Sequence, residues 1–125
     1  MDLWRKAVRA VHGEQCVFCG DRPVECHHII KRRHYLTRWD YKNGIPLCHK
    51  CHDLADTMLM RERIISFIGN EWFNYLSELE LVTKKSYMLE NDITDAEFKR
   101  EKIKELKEII SGKIKTWDKR RAIWK

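Results

Sequence analysis

At 125 residues, with 43% hydrophobic and 35% charged side chains, the chain has room for one domain with a modest core and is too mixed for a low-complexity or repeat protein. No apolar run approaches the ~18 residues of a membrane span, and residues 1–12 lack the apolar centre of a signal peptide, so a cytoplasmic protein with no membrane partner is expected. The net charge of +6 is concentrated: residues 28–50 hold Lys31, Arg32, Arg33, Arg38, Lys42 and Lys50 against Asp40 alone, the footprint expected beside a bound polyanion.

In chain order, residues 2–12 form the first predicted helix. Asp2 suits its N-terminus, Trp4, Ala7, Val8 and Val11 fall on one face, and Gly13 stops it. Cys16-Val-Phe-Cys19-Gly20 then reads as a metal knuckle, with Gly20 turning the backbone. Pro23–Ile30 reads as a short strand and Lys31 to about Lys42 as a polar basic loop. Asn43-Gly44 is a turn signal, and Ile45-Pro46-Leu47 a return strand that Pro46 confines to an edge. From His49 the spacing becomes helical, with His52, Ala55 and Leu59 on one side. Ile64, Ile65 and Ile68 mark a helix over 60–68. Gly69-Asn70 interrupts it, and Asn70 is expected to cap the next stretch through Trp72, Tyr75, Leu76 and Leu79. Residues 83–93 read as a connection. Thr94 with Glu97 makes a capping box for a last helix whose stripe is Ile103, Leu106, Ile110, Ile114 and Trp117. Packing on the rest of the domain, or on a second copy in a homodimer, accounts for that stripe. The basic end, Lys119–Lys125, suits either phosphate contact or a solvated terminus.

The chemistry lies in the cysteines and histidines. In a reducing compartment two Cys-x-x-Cys pairs favour metal over disulfide. Cys16, Cys19, Cys48 and Cys51 complete a four-sulfur tetrahedral zinc site, with Cys26 and His49 as competing donors. Cys26 is otherwise left over as a small buried side chain or a spare thiol. His27 and His28, adjacent on a strand, point to opposite faces. One can meet a metal while the other meets a water, and His52 in the following helix offers a second ligand across the hairpin. His34 reads as a solvent-exposed loop residue.

The run Cys26-His27-His28-Ile29, then Asn43, then Leu47-Cys48-x-x-Cys51-His52, resembles an HNH endonuclease of the ββα-metal, or His-Me finger, group, in the form with two zinc knuckles found in phage and bacterial nucleases. The resemblance covers about residues 4–58. It implies that His28 is the general base and that Asn43 pins the loop and helps to orient it. It also implies that His27 and His52 hold one catalytic divalent ion and that the four knuckle cysteines hold structural zinc. His27 stands where the family more often has Asp, which shifts the preference from Mg²⁺ towards Mn²⁺ or softer ions. The family's products are 5′-phosphate and 3′-hydroxyl ends.

The expected architecture is therefore α+β: a ββα-metal core over residues 1–58, with an N-terminal helix and zinc knuckles, and a mostly helical extension over residues 59–125. The expected function is that of a metal-dependent DNA endonuclease, with Lys31, Arg32, Arg33, Arg38 and Lys42 contacting DNA phosphates, which position without specifying. The alternative is a zinc-knuckle nucleic-acid-binding or assembly module without catalysis, which leaves His28, Asn43 and His52 without a task.

Overall fold

The computed structural model describes residues 2–112. The expectations for Ile114, Trp117 and the Lys119–Lys125 end lie outside the described residues. The first helix, α1 (Asp2–His12), buries Trp4, Ala7 and Val8. Gly13, at φ 92°, closes it with an N–H bond of 2.7 Å to the Arg9 carbonyl.

Two strands follow, β1 (Val24–His28) and β2 (Gly44–Cys48). They pair antiparallel, with Val24 opposite Cys48 and His28 opposite Gly44. All five β2 residues are buried, because α1 covers one side of the strand and the next helix the other. Pro46 costs no ladder bond in a two-stranded sheet, where one edge of each strand is unpaired, and its carbonyl accepts from Val17 N–H at 3.3 Å.

Asn43-Gly44 is not the hairpin turn that the sequence suggests. Gly44 is extended (φ −132°, ψ 147°) and opens β2. Its missing side chain serves close packing: a Cβ there would stand 2.3 Å from Val8 Cγ2 and 2.7 Å from Trp4 Cζ2. The strands are instead joined by residues 29–43, where the expected plain loop contains a one-turn helix, α2 (Tyr35–Arg38), and a 3-10 turn at Tyr41–Asn43.

After β2 comes α3 (His49–Asp53), completing a ββα core. It is shorter than the spacing implied. Thr57 caps a new helix, α4 (Met58–Ile68), so Ala55 is buried but Leu59 is exposed. Helix α4 buries Met60, Ile64 and Ile68. Gly69, at φ 89°, separates it from α5 (Asn70–Glu80) and occupies the cap position, so Asn70 is not the cap. Residues 83–93 hold a further short helix, α6 (Lys84–Glu90), capped by Thr83.

The last described helix, α7 (Asp95–Ile110), has the expected Thr94–Glu97 capping box and packs on α1. Its buried side chains are Phe98, Leu106 and Ile109, whereas Ile103 and Ile110 are exposed. Of the described stripe members, then, only Leu106 faces this chain's own core. The largest wholly buried side chains come from every layer: Trp4, Ile30, Ile45, Leu47, Ile64, Ile68, Trp72 and Leu76. The fold is α+β, as expected. None of the described helices is long and apolar enough to cross a membrane.

Candidate active site and zinc cluster

The ligand atoms of Cys16, Cys19, Cys48 and Cys51 all lie within 4.8 Å of one another. A tetrahedral ion with Zn–S bonds of about 2.3 Å holds its sulfurs about 3.8 Å apart, so the cluster fits zinc. Local backbone builds it. Gly20, at φ 78°, turns the first knuckle and its N–H bonds the Cys16 carbonyl at 2.9 Å. Cys48 caps α3, its sulfur 3.5 Å from the Cys51 N–H. Burial opposes ionisation of Cys16, but the backbone N–H groups of Cys48, Cys19 and Phe18 outweigh it and bring the thiol down to about 6. Cys51 is pushed up to about 12, chiefly by burial and then by the neighbouring sulfurs. One thiolate thus forms readily and a second is resisted until a cation is present. Cys26 stands apart, half-buried beside the Arg5 carbonyl, and His49 is exposed among Glu25 and Asp53.

The two adjacent histidines diverge, as a strand requires. His27 turns towards α3, where its ring meets that of His52 edge-on, centroids 5.3 Å apart. Burial first, and then the facing His52, pull its pKa down to about 4, so it is a neutral nitrogen donor at physiological pH. Among the described residues the cysteine cluster is the only group of three or more donors near enough to one another to hold an ion; His27 and His52 make a pair. Asp56, in the turn that follows α3, lies near enough to His27 to raise its pKa, and Lys31 holds its carboxylate at 2.9 Å. The sequence reading missed Asp56.

His28 turns to the opposite side, towards α1. Its ring stacks on Trp4 with centroids 3.9 Å apart and planes 5° from parallel. Its Nε2 lies 3.0 Å from the Arg38 carbonyl. A carbonyl only accepts, so Nε2 donates and Nδ1 keeps its lone pair. Burial lowers the His28 pKa and keeps the ring neutral.

Asn43, with no exposed surface, fixes the loop that carries that carbonyl. Its Oδ1 accepts from Ile30 N–H at 2.6 Å, and its Nδ2 donates to the carbonyls of Ile30 and Thr37, both at 3.1 Å. Thr37 directly precedes Arg38. Asp40, also buried, was passed over in the sequence as the lone acid of the basic stretch. Its carboxylate accepts from Lys42 N–H (3.0 Å) and Tyr75 O–H (2.6 Å), and its carbonyl accepts from Trp4 Nε1 (2.8 Å).

The basic residues of the 31–42 segment are not equivalent. Arg32 and Arg33 are exposed. Lys31 is exposed but tied to Asp56. Arg38 is half-buried, donating to the Arg32 carbonyl and lying against Tyr35 and Trp39, and Lys42 lies over Tyr75. His34 is half-buried, 3.6 Å from Glu80, rather than solvent-exposed, because α5 packs beside α2.

Comparison with known proteins adds one finding: residues 16–60 match the family model described as HNH endonuclease. No curated protein and no solved structure matches the chain. The matched segment holds both knuckles, the strand pair and α3, together with His27, His28, Asn43 and His52. The match to the HNH-endonuclease model thus begins at the first Cys-x-x-Cys knuckle and ends in the first turn of α4.

Proposed function

We propose that this protein is a metal-dependent DNA endonuclease that hydrolyses phosphodiester bonds to 5′-phosphate and 3′-hydroxyl ends. The observation that carries the reading is the state of His28. Its ring is neutral, fixed by Trp4 and by the Arg38 carbonyl, with the Nδ1 lone pair left to take a proton from water. Asn43 acts as a positioning residue, holding the turn that presents the Arg38 carbonyl.

His27 and His52 would hold the divalent ion, Mg²⁺, Mn²⁺ or a softer one suited to imidazole, with the carboxylates of Glu25, 3.9 Å from His52 Nδ1, and Asp56 beside them. Such an ion, when bound, stabilises charge developing on the phosphate and the leaving oxygen. Lys31, Arg32, Arg33, Arg38 and Lys42 supply positive charge along the approach to the site, and the two exposed arginines are the best placed for phosphate. We assign the chemistry to residues 1–58 and a supporting role to the helices of 59–125.

The test is cleavage of supercoiled plasmid across several divalent ions, with His28→Ala as control. Removing a general base lowers the rate by roughly 10²–10⁴-fold. Wild-type cutting that the variant lacks supports the reading. If the zinc-loaded wild type binds DNA but cuts none under any divalent ion, the non-catalytic zinc-knuckle module is the correct reading.

A further inference from the structure

Between α1 and α7 lies an open slot of about 530 Å³ lined by Trp4, Trp39, Lys99, Lys102 and Ile103, with Asp2 at its rim. The volume falls within the roughly 300–1,000 Å³ of small-ligand clefts. Its chemistry is aromatic and cationic, with Lys99 shared with Asp95 and Lys102 with the buried Asp40, each at 3.6 Å. Trp39 is half-buried, with the Arg38 guanidinium 5.5 Å and the Lys99 ammonium 5.9 Å from its ring. The one acid on the rim, Asp2, is already paired with Arg5 at 3.2 Å. Ile103, 43% exposed, adds an apolar wall opposite.

An aromatic face beside cations is the arrangement that holds a single-stranded base and its phosphate, because every base has a π-face to stack and a charge to neutralise beside it. A base within a paired duplex is stacked on both sides and cannot enter. The slot also adjoins the candidate base: the Trp4 indole that forms its wall is the one stacked on His28.

We propose that this slot takes one unpaired nucleobase of the DNA, laid against Trp39, with its phosphate met by Lys99 or Arg38. The substrate class is then DNA with unpaired nucleotides beside the cut, such as bulges, flaps or single strands. This rests on the nuclease reading for its use in cleavage, but binding tests it separately.

The probe is a duplex with a single bulged 2-aminopurine, compared with the same duplex fully paired. Both are titrated with the zinc-loaded full chain without added Mg²⁺ or Mn²⁺. The bulged duplex is expected to bind roughly ten-fold more tightly, with its 2-aminopurine fluorescence quenched by stacking. Trp39→Ala brings the affinity ratio close to one, and Trp39→Phe keeps most of it. Ile103→Glu, at an exposed position that folding tolerates, also abolishes the preference and decides the matter should Trp39→Ala fail to fold.

Equal affinity for the two duplexes, or a preference that survives both disruptive variants, overturns the proposal. So does a change in self-association with no change in nucleotide preference, which would make the slot a protein contact. Plasmid cutting without bulge preference removes the slot and leaves the nuclease. Bulge preference without cutting under any divalent ion leaves the slot and removes the nuclease.

Discussion

Asn43→Ala isolates the part of the site that the strand pair alone does not determine. The wild-type amide closes three bonds in a fully buried position. Alanine leaves the Ile30 N–H without its acceptor, at a cost of about 1–3 kcal/mol for a buried unpaired donor. The Ile30 carbonyl loses the amide donor, adding about 1 kcal/mol. The Thr37 carbonyl keeps the Asp40 N–H at 3.1 Å, so its loss is small. The sum is about 2–4 kcal/mol, a large part of the roughly 5–15 kcal/mol that such domains have. With a urea slope of about 1–3 kcal/mol per molar, the midpoint of zinc-loaded protein falls by roughly 0.7–4 M with little change of slope. Cleavage falls as well, because the turn that presents the Arg38 carbonyl to His28 is released. Asn43→Asp keeps the acceptor but turns a carboxylate towards two carbonyls. It is at least as destabilising at pH 7 and partly recovers as the carboxyl protonates in acid. A midpoint for Asn43→Ala within about 0.3 M of wild type would refute the account of Asn43 as a buried clamp.

Three further outcomes follow from the same geometry. Elemental analysis should find one zinc per chain, and a strong chelator should lower the thermal midpoint and expose the 16–20 and 48–52 backbone to hydrogen exchange; an unchanged midpoint after proven metal loss would count against a structural ion. Gly44→Ala forces a Cβ into Val8 and Trp4 and should cost about 1–3 kcal/mol as overpacking, read by urea unfolding; a neutral result would mean that α1 is not seated as described. Glu105 is half-buried, and its pKa is raised by burial first, against the pull of Lys102 and with a push from Asp40. A carboxyl raised on folding favours the native state only while protonated, so its penalty grows as pH rises through the folded value. Glu105→Gln should therefore raise the urea midpoint at pH 7 and lose that advantage near pH 4; a constant gain across that range would assign the effect to something other than ionisation.

The parts of this molecule legible from the sequence are those whose physics is local. Knuckle spacing, the capping box at Thr94 and the alternation that separates His27 from His28 each depend on a few neighbouring residues, and each is found in place. The misreadings concern residues whose role is set by distant partners. Gly44 looked like a turn because Asn-Gly usually is one, yet its lack of a side chain serves Trp4 and Val8, some forty residues away in the chain. His34 looked exposed because nothing in its own segment announces Glu80. The α7 stripe was ambiguous because two apolar faces lie side by side on that helix. Only tertiary packing selects Phe98, which meets Tyr35 and Tyr87, together with Leu106 and Ile109 on the helix that packs against α1.

Asp40 shows how the helices beyond the matched segment bear on the site. Its carboxylate is 1% exposed and meets the Tyr75 hydroxyl from α5 and, at 3.6 Å, the Lys102 ammonium from α7. Its backbone carbonyl receives both Trp4 Nε1 from α1 and the Asn43 N–H. A buried carboxylate deprived of its partners costs several kcal/mol, so Asp40 stays in place only while α5 and α7 are docked. The residues that depend on it are Trp4, which stacks on His28, and Asn43, which fixes the turn holding His28 Nε2. The imidazole is therefore aimed by two routes that meet at Asp40. Trp4, Tyr75 and Lys102 all lie outside residues 16–60, so that segment carries His28 without by itself fixing the geometry of its ring.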